Sequence, residues 1–177
     1  MAQTWRTQRP QGDEYFAYYQ TYINQVPPGD VLKSMETQLE DTLALVRALP
    51  ESQGEHRYAP GKWTIKEVLG HLSDSERVFA YRLMRIARAD ATPLAQFDEN
   101  EYVRNASFGS RTLADLAQEL EYVRRATLGL VAPLEDGAML RRGTASGHPA
   151  SARALAWIIA GHERHHVKIL RERYLAG

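Results

Sequence analysis

Four long segments of the sequence repeat their apolar residues at the spacing of an α-helix, and this periodicity constrains the fold more than any other feature. They cover residues 30–49, 64–89, 112–134 and 151–175. Glycine, proline and polar clusters separate them, and no segment shows the alternating pattern of a β-strand. Four helices of this length in one domain predict an all-α protein, a four-helix bundle.

The sequence predicts a single domain over residues 1–177, with the core of the bundle over about residues 30–175. A chain of this length buries enough surface to fold without disulfides or other cross-links. Before the first long helix, the aromatic-rich stretch DEYFAYYQTYINQV predicts an extra short N-terminal helix that lies on the bundle. The connection from Asp90 to Arg111 is too long for a tight turn, which predicts a crossover or a segment that covers a pocket.

Composition argues against several classes of function. Lys plus Arg and Asp plus Glu both number 22, and this zero net charge argues against a nucleic-acid partner and against electrostatic attachment to a membrane. Because there is no cysteine, a metal site must use His, Asp, Glu and water. The N-terminus lacks the apolar core of a secretory signal, and the longest apolar run, ALAWIIAG, is too short to span a membrane. We therefore expect a cytoplasmic protein.

Three of the six histidines lie within five residues of the last predicted helix, in the stretch GHERHHVKIL. At about 100° per residue, His162 and His166 straddle the centre of the apolar face of this helix, whereas His165 lies on its shoulder. Imidazoles four residues apart are neighbours on a helix and can bind the same metal ion. The alternative is a pair of core histidines that hydrogen-bond to Tyr, Glu or backbone groups of other helices.

A third ligand is needed, because catalytic zinc normally has three protein ligands and one open position. His71 is the best candidate, since it lies at the edge of the inward face of the second helix. A set of two histidines from one helix and one from a facing helix can hold a metal inside a bundle. The remaining histidines, His56 and His148, lie in polar loops, where exposure to solvent is the default interpretation.

Carboxylates near the histidines have several interpretations. Asp74, three residues after His71, is a candidate for orienting that imidazole, for a fourth ligand or for a general base. Glu67 lies one turn before His71, but the capping box TIKE already accounts for it. Glu163 is expected at the surface or between helices. For Trp63 and Trp157, a core position is favoured over a pocket.

The stretch RYAPGKWTIKEVLGHLSDSERV, followed much later by GHERHHVKILRERY, resembles the DinB-like superfamily, the DinB/YfiT metalloenzymes. The resemblance covers most of the chain and implies a DinB/YfiT-type four-helix bundle that is commonly a homodimer. It also implies a divalent metal ion bound by His71, His162 and His166, with zinc or nickel as the main expectation and iron or manganese as alternatives.

Relatives in this superfamily imply three functions. Some are metal-dependent transferases that join a low-molecular-weight thiol to an electrophile, one is a thiol-dependent maleylpyruvate isomerase, and others are described as metal-dependent hydrolases. We therefore expect a metal-dependent thiol S-transferase that acts on a small electrophile, with Asp74 as a proton acceptor. The alternatives are a hydrolase in which Asp74 or Glu163 activates water, and a non-catalytic, stress-related bundle that the metal stabilises.

Overall fold

The computed structural model describes residues 3–176, and most of them are helical, which confirms the predicted fold class. The α-helices are α1 (Gln20–Ile23), α2 (Val31–Arg47), α3 (Ile65–Ala87), α4 (Glu99–Asn105), α5 (Leu113–Val131), α6 (Asp136–Met139) and α7 (Ala152–Ile169). Short 3₁₀ segments occur at Thr4–Arg6, Ala17–Tyr19, Glu51–Gln53 and Phe108–Ser110, and a π-helical segment follows α7 at Leu170–Tyr174. The four long helices α2, α3, α5 and α7 are the four predicted from the sequence.

Each long helix begins at a side chain that accepts hydrogen bonds from the free backbone N–H groups of its first turn. These caps are Asp30 for α2, Thr64 for α3, Thr112 for α5 and Ser151 for α7. At α3 the predicted capping box is present: the Glu67 N–H donates to the Thr64 hydroxyl, and the Thr64 N–H donates to the Glu67 carboxylate at 2.7 Å. The caps explain why these helices start where they do.

The packing order of the four long helices differs from their order in the chain. Helix α3 packs against α5 and α7, and α2 packs against the same two helices. The consecutive helices α2 and α3 therefore occupy opposite corners of the bundle. This order makes α3 and α7, which carry the predicted metal ligands, direct neighbours.

A small β-hairpin precedes α7, which corrects the prediction that the chain contains no strands. Strand β1 (Arg142–Ala145) pairs antiparallel with β2 (His148–Ser151). Ser146 and Gly147 form the two-residue turn, and both have positive φ, as tight hairpins with this twist require. The strands read RGTA and HPAS, which do not alternate apolar and polar residues, so periodicity gave no signal for them. The hairpin places Ser146 beside α3, since its hydroxyl accepts from Arg82 at 2.9 Å.

The end of the last helix also departs from a regular α-helix. The prediction extended this helix to residue 175, but α7 ends at Ile169 and continues as the π-helical segment. The hydroxyl of Tyr174 in this segment donates to the backbone carbonyl of Trp63 at 2.7 Å. This bond ties the C-terminal turn to the residue that precedes the cap of α3.

The predicted short N-terminal helix is present as Ala17–Tyr19 and α1, and it packs against α7. Gly161 permits this contact, because a Cβ atom at that position would clash with the backbone carbonyl of Tyr22. Tyr22 consequently lies directly over α7 at the level of the histidines.

Two apolar clusters form the core, and a layer of buried polar side chains separates them. One cluster includes Phe79 and Ala160, and the other includes Leu69 and Leu170. The buried polar residues between them on the four helices are Gln38, Thr42, His71, Ser73, Ser75, Glu76, Arg124, His162 and Glu163. Buried polar groups are costly without partners, so this layer is the part of the bundle where a function is expected. Within residues 3–176, no helix is both long and apolar enough to cross a membrane.

Candidate metal centre

His71, His162 and His166 converge in the polar layer. One nitrogen from each ring lies within 4.8 Å of the other two, and Nε2 of His71 is 3.0 Å from Nε2 of His162. Two nitrogens that each lie about 2.0–2.1 Å from a tetrahedral metal ion are about 3.3 Å apart. The three imidazoles therefore already stand near the spacing of a shared cation.

The protonation of these imidazoles also suits a metal ion. Burial lowers the pKa of His71 to about 4. Burial also lowers the pKa of His162 and His166 well below the ordinary value, and the neighbouring imidazoles lower it further. Metal binding requires neutral imidazoles, so no proton has to be removed from this site at neutral pH. The donor set thus fits a divalent cation.

The ring of His71 is held from its other side. Its Nδ1 lies 3.3 Å from the hydroxyl of Ser75, one turn further along α3. A metal-binding histidine commonly uses its second nitrogen in this way, which sets the orientation of the ring. Trp63 packs on the same imidazole, with the ring centroids 4.6 Å apart.

A cavity of about 230 Å³ opens next to the three histidines. Six aromatic side chains line it beside the histidines: Tyr18, Tyr19, Tyr22, Trp63, Phe79 and Phe97. Ser75, Glu99, Ser146 and His165 also line it. The tyrosines come from the N-terminal segment and Phe97 from the connection between α3 and α4, so the predicted pocket-covering segment does contribute to the pocket.

His165 lies on the flank of α7, as its helical angle predicted. The side-chain amide of Gln25 is 3.1 Å from its Nδ1, so His165 bonds to the segment that follows α1. It lines the histidine cavity but is not part of the cluster of three. Burial lowers the pKa of His165, with a smaller contribution from Lys168.

The structure does not bring Asp74 to this cavity. Its carboxylate accepts from Arg77 at 3.3 Å, and the other charged groups near it are Glu119 and Arg111. Burial raises the pKa of Asp74. Asp74 is three residues beyond His71, so its side chain points about 60° away from that of His71 around the helix axis. It therefore faces α5, where Glu119 lies, rather than α7.

The two glutamates are also engaged elsewhere. Glu67 stays in the capping box. Glu163 is buried between helices, where it accepts from Thr42 at 2.7 Å and lies 2.8 Å from the guanidinium of Arg124. Arg124 also forms a two-bond pair with Glu76. Neither Glu67 nor Glu163 lines the histidine cavity.

The structure places three residues in surroundings that the sequence analysis did not predict or interpreted only in part. Glu99, at the start of α4, is the carboxylate that lines the cavity, and no periodicity or motif indicated it. Trp63 lies in the cavity rather than the core, whereas Trp157 is fully buried in the core. His148 stacks on Phe16 with ring centroids 3.8 Å apart, instead of lying free in solvent.

Comparisons with known proteins agree with this architecture. YfiT from Bacillus subtilis, described as a probable metal-dependent hydrolase with an unusual four-helix bundle topology, is 17% identical, with a TM-score of 0.69 over 93% of this chain and 92% of its own. A mycothiol-dependent maleylpyruvate isomerase is also 17% identical, with a TM-score of 0.63 over 77% of this chain. The match spans 58% of that isomerase.

At this level of identity, the two structures show a shared fold. No match was found among curated proteins. Residues 34–170, which include all three clustered histidines, match the DinB superfamily. The chain therefore belongs to the DinB superfamily.

Proposed function

We propose that this protein binds one divalent metal ion through His71, His162 and His166, and that it is a metal-dependent enzyme of the thiol S-transferase type. The observation that supports the proposal is the convergence of three neutral imidazoles, two of them buried and that of His166 partly buried, beside a cavity. Imidazole ligands suit zinc and nickel, and also iron. Zinc or nickel is therefore the proposed metal, with iron or manganese as alternatives.

Three protein ligands leave one position of a tetrahedral site open, and here that position would face the cavity. A divalent cation in the site would favour the thiolate form of a thiol that reached it, because the positive charge stabilises the deprotonated sulfur. The aromatic side chains of the cavity would hold an apolar electrophile and exclude water. Ser75 and Trp63 fix the ring of His71, so the ligand set keeps its geometry.

A proton acceptor must lie in the cavity, and the position of Asp74 does not support it in that role. His165 and Glu99 do line the cavity. Because burial holds the pKa of His165 below its ordinary value, this imidazole is neutral at pH 7. Its Nδ1 would accept a proton on release of the hydrogen bond from the Gln25 amide. We assign the acceptor role to His165.

The mycothiol-dependent isomerase with the same fold supports thiol chemistry for this site. The hydrolase alternative is supported by the description of YfiT and by Glu99, the carboxylate in the cavity that could activate water. It does not gain support from Asp74 or Glu163, which lie outside the cavity. A purely structural metal would need no cavity beside it, so the cavity counts against the non-catalytic alternative.

Metal analysis of protein purified without an affinity tag tests the first step. We expect about one zinc or nickel ion per chain in the wild type. His162→Ala should lose it, whereas His165→Ala should keep it, because His165 is outside the cluster. Equal metal content in wild type and His162→Ala, or no uptake of added zinc, would refute the site.

Thiol consumption tests the second step. The metal-loaded protein would be mixed with a panel of low-molecular-weight thiols and small electrophiles, and the loss of free thiol followed against the His162→Ala variant. A metal-dependent loss supports the transferase. Ester or amide cleavage without thiol, abolished by Glu99→Gln, would support the hydrolase instead.

A homodimer is also proposed for this chain. Tyr81, Met84 and Tyr122 expose 49%, 36% and 65% of their surface. With Val123 and Leu130 they line an open apolar groove on α3 and α5. Contact with a second copy would remove this apolar surface from water. Light scattering should give twice the mass of one chain.

The cytoplasmic location likewise stays a prediction, which fractionation of cells would test.

A further inference from the structure

The histidine cavity continues into a second cavity that contains a buried arginine. The second cavity has a volume of about 250 Å³. It shares Tyr18, Tyr19, Phe97 and Ser146 with the histidine cavity, so the two form one continuous cleft. Arg82 of α3 lines this second part of the cleft, which we call the arginine cavity.

Arg82 differs from the other buried arginines of the described chain. The exposed fractions of Arg82, Arg124 and Arg153 are 3%, 1% and 7%. Arg124 pairs with two glutamates, and Arg153 pairs with Glu14. Among residues 3–176, no aspartate or glutamate pairs with Arg82, and the ionisable side chains that act on its charge are tyrosines.

The guanidinium of Arg82 keeps hydrogen-bond donors free. Its Nη2 donates to the backbone carbonyl of Ala95 at 2.6 Å and to the hydroxyl of Ser146 at 2.9 Å. These bonds use two of the five N–H donors of a guanidinium. The other N–H groups and a full positive charge therefore remain for a molecule in the arginine cavity.

The charge of Arg82 needs an anion for compensation. A guanidinium stays protonated in proteins, and a buried charge is costly unless it is paired. Neutral acceptors satisfy donors without neutralising the charge. A carboxylate complements the free N–H donors and the positive charge of Arg82, because it carries one negative charge and two oxygens that accept in parallel from a guanidinium.

We propose that Arg82 binds the carboxylate of a small organic substrate whose other end reaches the histidines. The part of this proposal that places the reactive end at the histidines rests on the proposed function, whereas the binding of a carboxylate by Arg82 does not. Arg82 lies over the ring of Phe97 at 5.5 Å, Phe97 is 6.5 Å from Phe79, and Phe79 is 5.7 Å from His162. This continuous series of rings fits an apolar body between the carboxylate and the reactive atom.

Calorimetric titration with benzoate and benzyl alcohol tests the proposal, because the two ligands share a ring and differ in the charged group. The protein would be the full chain with EDTA present, so that benzoate cannot bind to a metal ion. We expect wild type to bind benzoate at least 10-fold more tightly than benzyl alcohol, as a charge-assisted pair predicts. Equal affinity for the two ligands, or no binding of benzoate, would overturn the proposal.

Substitutions locate the site. Arg82→Met should weaken benzoate binding about 10- to 100-fold and leave benzyl alcohol unchanged. The matched control is Arg85→Met, three residues along α3, because Arg85 already pairs with Asp90. If Arg82→Met does not fold, Arg82→Lys serves instead, since it keeps the charge and loses the two-bond geometry. Benzoate affinity that is unchanged in the Arg82 variant, or lowered equally in the Arg85 variant, would contradict the assignment.

Two separate measurements on the wild type distinguish this proposal from the proposed function. Benzoate titration in EDTA reports on the carboxylate site at Arg82, whereas metal uptake reports on the histidines. If the wild type takes up no metal and still binds benzoate through Arg82, the proposed function fails and the carboxylate site stands. If the wild type takes up metal and its benzoate affinity does not depend on Arg82, the carboxylate site fails and the proposed metal site stands.

Discussion

The three clustered histidines predict that the metal-free protein loses stability as the pH falls from about 6.5 to about 4. An unfolded histidine takes up a proton near its ordinary pKa of 6.5, whereas burial holds the pKa of folded His71 at about 4. The unfolded state therefore binds more protons across this window. Since folding must exclude that proton, the free energy of unfolding decreases as the pH falls, and it stops decreasing below about pH 4.

The magnitude follows from the two pKa values of His71. For a pKa of about 6.5 when unfolded and about 4 when folded, the loss between pH 7 and pH 5 is about 2 kcal/mol. In a domain of this size, that corresponds to about 4–8 °C in Tm. Burial lowers the pKa of His162 and His166 in the same direction, so both add to the loss.

Urea unfolding in the presence of EDTA, at several pH values from 7.5 to 4.5, measures this dependence. In His71→Gln the loss between pH 7 and pH 5 should be smaller than in wild type by about 2 kcal/mol. His56→Gln is the matched control, because His56 is exposed in a loop and its replacement should leave the pH dependence unchanged. The same pH dependence in His71→Gln and wild type would refute the reasoning that burial keeps His71 neutral.

Three further predictions concern the same layer of the bundle. Zinc at 100 times its dissociation constant should stabilise the wild type by about 2.7 kcal/mol and leave His162→Ala unchanged in thermal unfolding; equal stabilisation of both would contradict the site. Arg124→Met leaves two buried glutamates unpaired and should lower the free energy of unfolding by about 3–5 kcal/mol, whereas a change within 1 kcal/mol would show that the pair is not needed. Gly161→Ala would force Tyr22 away from α7, so it should lower Tm and alter benzyl alcohol binding; Gly129→Ala, at an open position, is the control.

Local sequence signals were sufficient for the four long helices, but not for the short helices α4 and α6. Thr64 and Glu67 marked the start of α3 because a capping box uses only residues of one turn. Apolar periodicity likewise located α2, α5 and α7. The hairpin was missed because its short strands, Arg142–Ala145 and His148–Ser151, do not alternate apolar and polar residues.

The candidate site was partly predictable for the same reason. His162 and His166 are one turn apart on one helix, so their shared direction follows from helix geometry alone. Helical angles also placed His71 on an inward edge and His165 on a flank. The same angles left Asp74 open as a ligand or base, and only the charged groups beside it, Glu119 and Arg111, show that it faces α5.

By itself, the sequence determined the four long helices, the inward face of each and the pair of histidines on α7, because these depend on interactions within a few residues. Only the tertiary structure decided that α3 lies beside α7, which brings His71 within reach of that pair. It also decided the cleft that joins Glu99, Tyr22 and Arg82 to the histidines. These contacts join segments far apart in the chain, and they depend on how the helices pack rather than on any local pattern.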